Sequence, residues 1–154
     1  MLEAEEEDRR RLQLLLSQEG CQVAACSEPN AALRELDARE YDAVFCDLGI
    51  AASAEELSER LRRPDAPLLV VVAAPEDRGG AMAAVDDSAW DCLFKPAAAA
   101  DVAVALRRIG KLLSFRRAQA SKAPGIIRET EPPPTRPRGL SGDFLAAGDR
   151  EVAP

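Results

Sequence analysis

The chain has 154 residues, enough for one domain with a single core and too few for two of comfortable size. Its 20 basic and 27 acidic side chains give a net charge of −7 and a pI near 4.8, which removes the electrostatic basis for gripping nucleic acid or an anionic lipid surface. The four cysteines, Cys21, Cys26, Cys46 and Cys92, lie in apolar stretches without CxxC spacing and without any histidine in the chain, so they read as reduced core residues and not as a zinc site.

The chain opens "MLEAEEEDRR", the reverse of a basic then apolar export signal, and no run reaches the ~18 apolar residues of a membrane span; a cytoplasmic protein is expected. "EEEDRRRLQLLLSQEG" places Leu12, Leu15 and Leu16 on one helical face and ends at Gly20, suited to the left-handed position after a helix. "CQVAAC" (21–26) reads as a short strand, and Ser27 with Pro29 opens a second helix through Leu33 and Leu36. "YDAVFCD" (41–47) is the next strand. Ser53 and Glu56 form a capping-box pattern for a third helix. "APLLVVVAA" (66–74) is apolar throughout, as expected of a strand covered on both faces of a parallel sheet. A weak fourth helix, loosened by Gly79 and Gly80, leads to the strand "DCLF" (91–94) and to Lys95 and Pro96. The last helix carries Val102, Leu106, Ile109 and Leu113 and is expected to end near Arg117.

This alternation predicts an α/β fold, a parallel sheet with helices on both faces, over residues 1–117. From residue 118 to 154 the composition changes: six of those residues are proline, and the basic and acidic side chains cancel. That stretch reads as a Pro-rich, disordered tail with extended polyproline geometry around "EPPPTRPRG".

In open α/β sheets functional groups gather beyond the carboxyl ends of the strands. Asp47 and Lys95 both stand at such ends, and the acids Glu3, Glu5 and Glu6 precede the first helix. For Asp47 alone a helix cap, a turn former, a metal ligand and a nucleophile are all open readings. Acids at the first helix can also serve its dipole without any metal. Carboxylates converging near one ammonium would form a site for Mg²⁺, and a phosphoryl group arriving there would have its charge offset by metal and lysine.

With Asp47, "FKP" at 94–96 and this order of elements in view, residues 2 to about 117 resemble the receiver domain of bacterial response regulators, which has a flavodoxin-like sheet. "YDAVFCDL" is similar to the phosphoacceptor strand, "DCLFKP" to its lysine-proline ending, and "SEPNAALRELDAREYD" to the second helix leading into the central strand. The resemblance implies that Asp47 accepts a phosphoryl group from a sensor histidine kinase or phosphotransfer protein in a phosphorelay. It further implies that Lys95 contacts the phosphoryl oxygens, that Gly49 lends a backbone carbonyl to Mg²⁺, and that the peptide before Pro96 is cis. The output would be contact with a downstream protein, since no output domain follows and no enzymatic activity is expected.

The departures from the family pattern are specific. The acidic pair of metal ligands falls on Glu3 and Ala4, so Glu5 would have to substitute for Ala4. The switch hydroxyl on the fourth strand falls on Val72 or Ala73, and the aromatic three residues before the lysine is Cys92. The first strand is largely missing, since only Met1, Leu2 and Glu3 precede the acidic loop, which suggests a misplaced start or a cut. These departures support a second reading, a pseudo-receiver that binds its partner without phosphorylation.

Overall fold

A computed structural model describes residues 1–122. Three parallel strands, β1 (Ala43–Asp47), β2 (Leu68–Ala73) and β3 (Asp91–Phe94), lie side by side in chain order. Every residue of β2 is buried, because helices cover both faces of this central strand. Side chains alternate across the sheet. Phe45, Val70, Val72 and Leu93 face α1 (Glu6–Gln18) and α6 (Ala99–Lys122) through Leu12, Leu16, Val102, Ala105 and Ile109. Val44, Cys46, Leu69, Val71 and Ala73 face α2 (Pro29–Ala38), α4 (Glu55–Leu61) and α5 (Arg78–Asp87) through Ala32, Leu36, Leu57, Leu61 and Ala81. The short α3 (Leu48–Ser53) follows β1 directly.

A single residue continues the sheet on the far side of β1. Leu2 bridges in parallel to Cys46 and to Cys26. Its N–H donates to Phe45 O (2.7 Å) and its carbonyl accepts from Asp47 N (2.9 Å), while Cys26 N donates to Met1 O and Glu3 N donates to Cys26 O. The lateral order is therefore Cys26, Leu2, β1, β2, β3, that of a doubly wound sheet whose direction of travel reverses beside Leu2. The expectation of a largely missing first strand holds, and so does the central place of what remains. The Met1 ammonium donates to Ala24 O at 2.5 Å, and burial lowers its pKa from the ordinary 8.0. Beyond Met1, residues 21–24 and Ala43 border a groove of about 860 Å³ floored by Leu16, Phe45 and Ile109.

Local expectations fared unevenly, for identifiable reasons. Gly20 takes φ 83°, and the N–H groups of Gly20 and Cys21 return to Ser17 O and Leu16 O, the paired closure of a Schellman turn. Residues 21–25 do not form the expected strand, because the neighbouring Met1–Glu3 segment reaches only Ala24 and Cys26. Ser53 does not cap the third helix. It is the last residue of α3 and its hydroxyl donates back to Gly49 O (2.7 Å), so that α4 starts from Ala54 without a side-chain cap. Finally, α6 continues through Lys122, past the expected stop at Arg117, and the rest of the proposed tail lies outside the described residues. The four cysteines are free, Cys26 and Cys46 buried, Cys21 and Cys92 half-buried, and burial pushes the Cys46 thiol up to about 12.

Because Leu2 is 1 % exposed and pairs on both sides, Leu2→Ala should cost about 2–5 kcal/mol in a urea unfolding titration, as buried leucine truncations do. Leu14→Ala, at a position 58 % exposed on the same first helix region, should change stability by less than about 0.5 kcal/mol.

Candidate functional site

The parallel strands all deliver their carboxyl ends to one edge of the sheet. There β1 ends at Asp47 and β3 passes into Lys95, whose N–H is anchored on Ala73 O (2.8 Å) at the end of β2. The Lys95–Pro96 peptide is cis. On the other side of β1, the bridge at Leu2 sets down Glu3 at the same edge. Strand pairing thus brings together residues far apart in the sequence, and the site's geometry is inherited from the ladder.

Lys95 Nζ is the centre of that site. It lies 2.7 Å from Asp47 Oδ2, 2.8 Å from Glu3 Oε2 and 3.4 Å from Asp8 Oδ2. The second oxygen of each inner acid is tied to backbone: Asp47 Oδ1 accepts from Ile50 N (3.1 Å), capping α3, and Glu3 Oε1 accepts from Glu5 N (3.0 Å). The carboxylates are therefore held by one oxygen and presented by the other. Burial works to lower the Lys95 pKa, but the hydrogen bonds and charges of Asp47 and Glu3 outweigh it and hold the ammonium above its ordinary 10.5. Glu3 is only 3 % exposed at its side chain, so this ammonium is what permits a carboxylate to stay in the interior.

Of the residues expected from sequence, Asp47, Lys95 and Glu3 come together. Glu5 does not, because its side chain is exposed and its contribution is the backbone N–H that orients Glu3. The Gly49 carbonyl, expected to face a metal, accepts the Ser53 hydroxyl instead. Gly49 matters for another reason: a Cβ there would stand 3.1 Å from Asp47 Oδ1, so its absence leaves the carboxylate room. Asp8 belongs to the acidic run Glu3 to Asp8, for which the sequence leaves helix-dipole service and metal binding both open without naming Asp8 as a ligand. It lies in the first turn of α1, beside the loop that carries Glu3. Val72 turns to the α1–α6 face and Ala73 is buried in the opposite core, with Cys92 packed against that same core. None of the three offers a hydroxyl or an aromatic ring.

The family model described as "Response regulator receiver domain" matches residues 2–107. The chain belongs to that family. It is thus a receiver domain of the two-component type, a family whose members generally bind Mg²⁺ at the phosphorylation site and work with histidine kinases or phosphotransfer proteins. Solved structures agree in fold. A CheY-like receiver domain from Methylobacillus flagellatus is 23% identical with a TM-score of 0.57, over 70% of this chain and 93% of its own. The response regulatory domain of mrkE from Klebsiella pneumoniae is 20% identical with a TM-score of 0.60, over 74% and 95%. NtrX from Brucella abortus, in complex with ADP, is 19% identical with a TM-score of 0.63 over 77% of this chain, which spans only 28% of the NtrX chain. No curated protein sequence matches. Among the described residues of the receiver domain, no helix is long and apolar enough to cross a membrane.

Removing the ammonium should expose how much the site depends on it. Lys95→Met strands Glu3 beside Asp47 and is expected to cost about 3 kcal/mol at neutral pH in chemical denaturation, with Glu3→Gln in the same chain restoring part of the loss. Since the Lys95 pKa in the folded state lies above 10.5, the pairing's stability is fully present below that pH and fades as pH rises through the folded value. The stability difference between wild type and Lys95→Met should accordingly be flat up to about pH 10 and shrink above it.

Proposed function

We propose that the domain is a phosphoacceptor receiver in which Asp47 takes a phosphoryl group from a phosphohistidine on a sensor histidine kinase or phosphotransfer protein in a phosphorelay. The observation that carries this reading is the 2.7 Å pairing of Asp47 Oδ2 with Lys95 Nζ at the carboxyl edge of the sheet, with the buried Glu3 completing the group. Asp47 is 21 % exposed at its side chain and stands where β1 ends at that edge, with Oδ1 on Ile50 N and Oδ2 on Lys95 Nζ.

The chain's own residues account for the transfer in simple terms. The Ile50 N–H fixes the Asp47 carboxylate plane, so the nucleophile enters already oriented. A carboxylate oxygen attacks phosphorus, the P–N bond to the donor imidazole breaks, and its electron pair leaves on that nitrogen. Lys95 remains an ammonium throughout and offsets charge on the phosphoryl oxygens. When bound, Mg²⁺ would supply further charge neutralisation on those oxygens. Glu3, Asp47 and Asp8 each bring a carboxylate oxygen to Lys95 Nζ, oxygen donors of the kind a hard cation takes. As they stand, however, no three acids among the described residues form a group that could hold a metal ion.

A second reading, an interaction module that works without phosphorylation, is favoured by Ala73 and Cys92. A ligand shifts a two-state equilibrium only through contacts that differ between the states. With no hydroxyl to follow the phosphoryl group and no ring to fill the space behind it, the usual coupling to the α5–β3–α6 face has no carrier. Output is thus by protein contact, weakly conditioned by phosphorylation.

Incubation with acetyl phosphate and Mg²⁺ should yield a phosphoryl adduct on Asp47 by mass spectrometry, absent in Asp47→Asn. No adduct on wild type would sink the phosphoacceptor reading. Affinity of the output partner for the α5–β3–α6 face should change by less than about tenfold, or ~1.4 kcal/mol, on phosphorylation; a hundredfold change would show a switch elsewhere.

A further inference from the structure

We propose that the far end of α6 and the 61–68 turn beside it form a docking surface for an acidic segment of a partner protein, at the edge of the sheet opposite Asp47 and independent of the phosphoacceptor reading. α6 starts shortly after Pro96, at the edge that carries Lys95, and runs to the other edge, where Arg117 meets Asp42 (3.3 Å) just ahead of β1. Its fully buried positions end at Ile109, Leu112 and Leu113 are half-buried, and every residue from 114 to 121 is exposed. That last stretch of helix extends beyond the core that holds the rest. Between residues 107 and 121 the helix carries Arg107, Arg108, Lys111, Arg116 and Arg117 and no acid, on a chain whose net charge is −7. Phe115 stands among them at 60 % exposure, the most exposed large apolar side chain of the described residues.

A concavity at the same edge fits this charge. Arg116 borders a pocket of about 500 Å³ with Arg62 and Arg63, and Asp87 is the one acid in its wall. Asp87 is taken by Arg62 at 3.0 Å, while Arg63 and Arg116 have no acidic partner among the described residues. Pro64 and Pro67 fix the backbone of the turn that forms the pocket's side, so its shape is largely set before anything binds. Two guanidinium groups left unneutralised on a molecule of net negative charge make a local field of the opposite sign, and guanidinium matches carboxylate in shape as well as charge. A second copy of the chain is a poor occupant, because a two-fold contact would set this basic helix end against itself. A nucleic acid is poor as well, since a long polyanion would also lie against the acids of the surrounding surface. A short acidic segment meets only the local patch, and an apolar side chain among its carboxylates would cover Phe115, arginine and aromatic groups being the usual anchors of protein interfaces.

The test is fluorescence anisotropy of a fluorescein-labelled peptide of glutamate and aspartate with a leucine at its centre, titrated with the full chain at low salt. Saturable binding is expected, weakened about tenfold or more by Arg116→Glu or Arg63→Glu and about fivefold by Phe115→Ala. All three positions are exposed, so urea unfolding of the variants should stay close to wild type. Arg34→Glu, an equal change of charge at an exposed site on α2, should leave binding within about twofold. Absence of binding to wild type, or an equal loss in Arg34→Glu, would overturn the proposal. A labelled oligonucleotide that binds more tightly than the peptide and is lost in the same variants would overturn it in favour of nucleic acid. A dimer in sedimentation that Phe115→Ala abolishes would overturn it in favour of a second copy. None of these outcomes bears on phosphoryl transfer to Asp47, which the acetyl phosphate experiment decides separately.

Discussion

The ammonium of Lys95 is the constraint on which the functional edge of this receiver domain depends. A carboxylate as enclosed as Glu3 is costly unless a counter-charge meets it closely, at ion-pair distance. Lys95 meets it, and does so while bonding Asp47 and standing near Asp8. The lysine is in turn held by the sheet, through its N–H on Ala73 O. Charge, strand register and site geometry are therefore one arrangement, in which removing the cation disturbs the fold and the chemistry together.

The same edge explains why so short a segment as Met1–Glu3 has so large a structural role. Leu2 is the only residue of the described chain that joins the 21–26 segment to β1 through backbone pairing on both sides. Its side chain belongs to the core beneath α2 and α4, next to Cys46 and Leu57. Its carbonyl receives the Asp47 N–H, so the backbone of the proposed nucleophile is fixed by the residue beside the buried acid. A ladder of one residue thus carries the register that puts Glu3 opposite Asp47.

Most of this architecture was legible because it obeys strong local rules. The unbroken apolar run of "LLVVVA" could only be a strand covered on both faces, and the spacing of Leu12 and Leu16 or of Val102 and Ile109 could only be a buried helical stripe. Asp47 and Lys95 were legible because both end a strand. The sequence was silent where tertiary contact overrides a local pattern. Residues 21–25 have strand composition but lack a partner of sufficient length, and Ser53 has the pattern of a cap but closes the preceding turn instead. Asp8 lies in an acidic run that the sequence leaves open between helix-dipole service and metal binding; its ion pair with Lys95 depends on tertiary structure that no local pattern carries.

The ending of the switch at Ala73 and Cys92 separates two properties that commonly travel together in such folds, a site able to accept charge and a route by which that charge is felt elsewhere. In the reading proposed here the first rests on the pairing of Asp47 with Lys95, and the second would have to do without a hydroxyl at Ala73 or a ring at Cys92. Whether the Lys95 ammonium truly organises the site is most directly measured by nitrogen NMR of the lysine side chains in metal-free buffer. The account predicts a Lys95 ζ-ammonium signal that persists against solvent exchange at neutral pH, couples through hydrogen bonds to the carboxylate carbon of Asp47, and remains charged above pH 10.5. A Lys95 signal lost to rapid solvent exchange at neutral pH, with no coupling to Asp47, would contradict it.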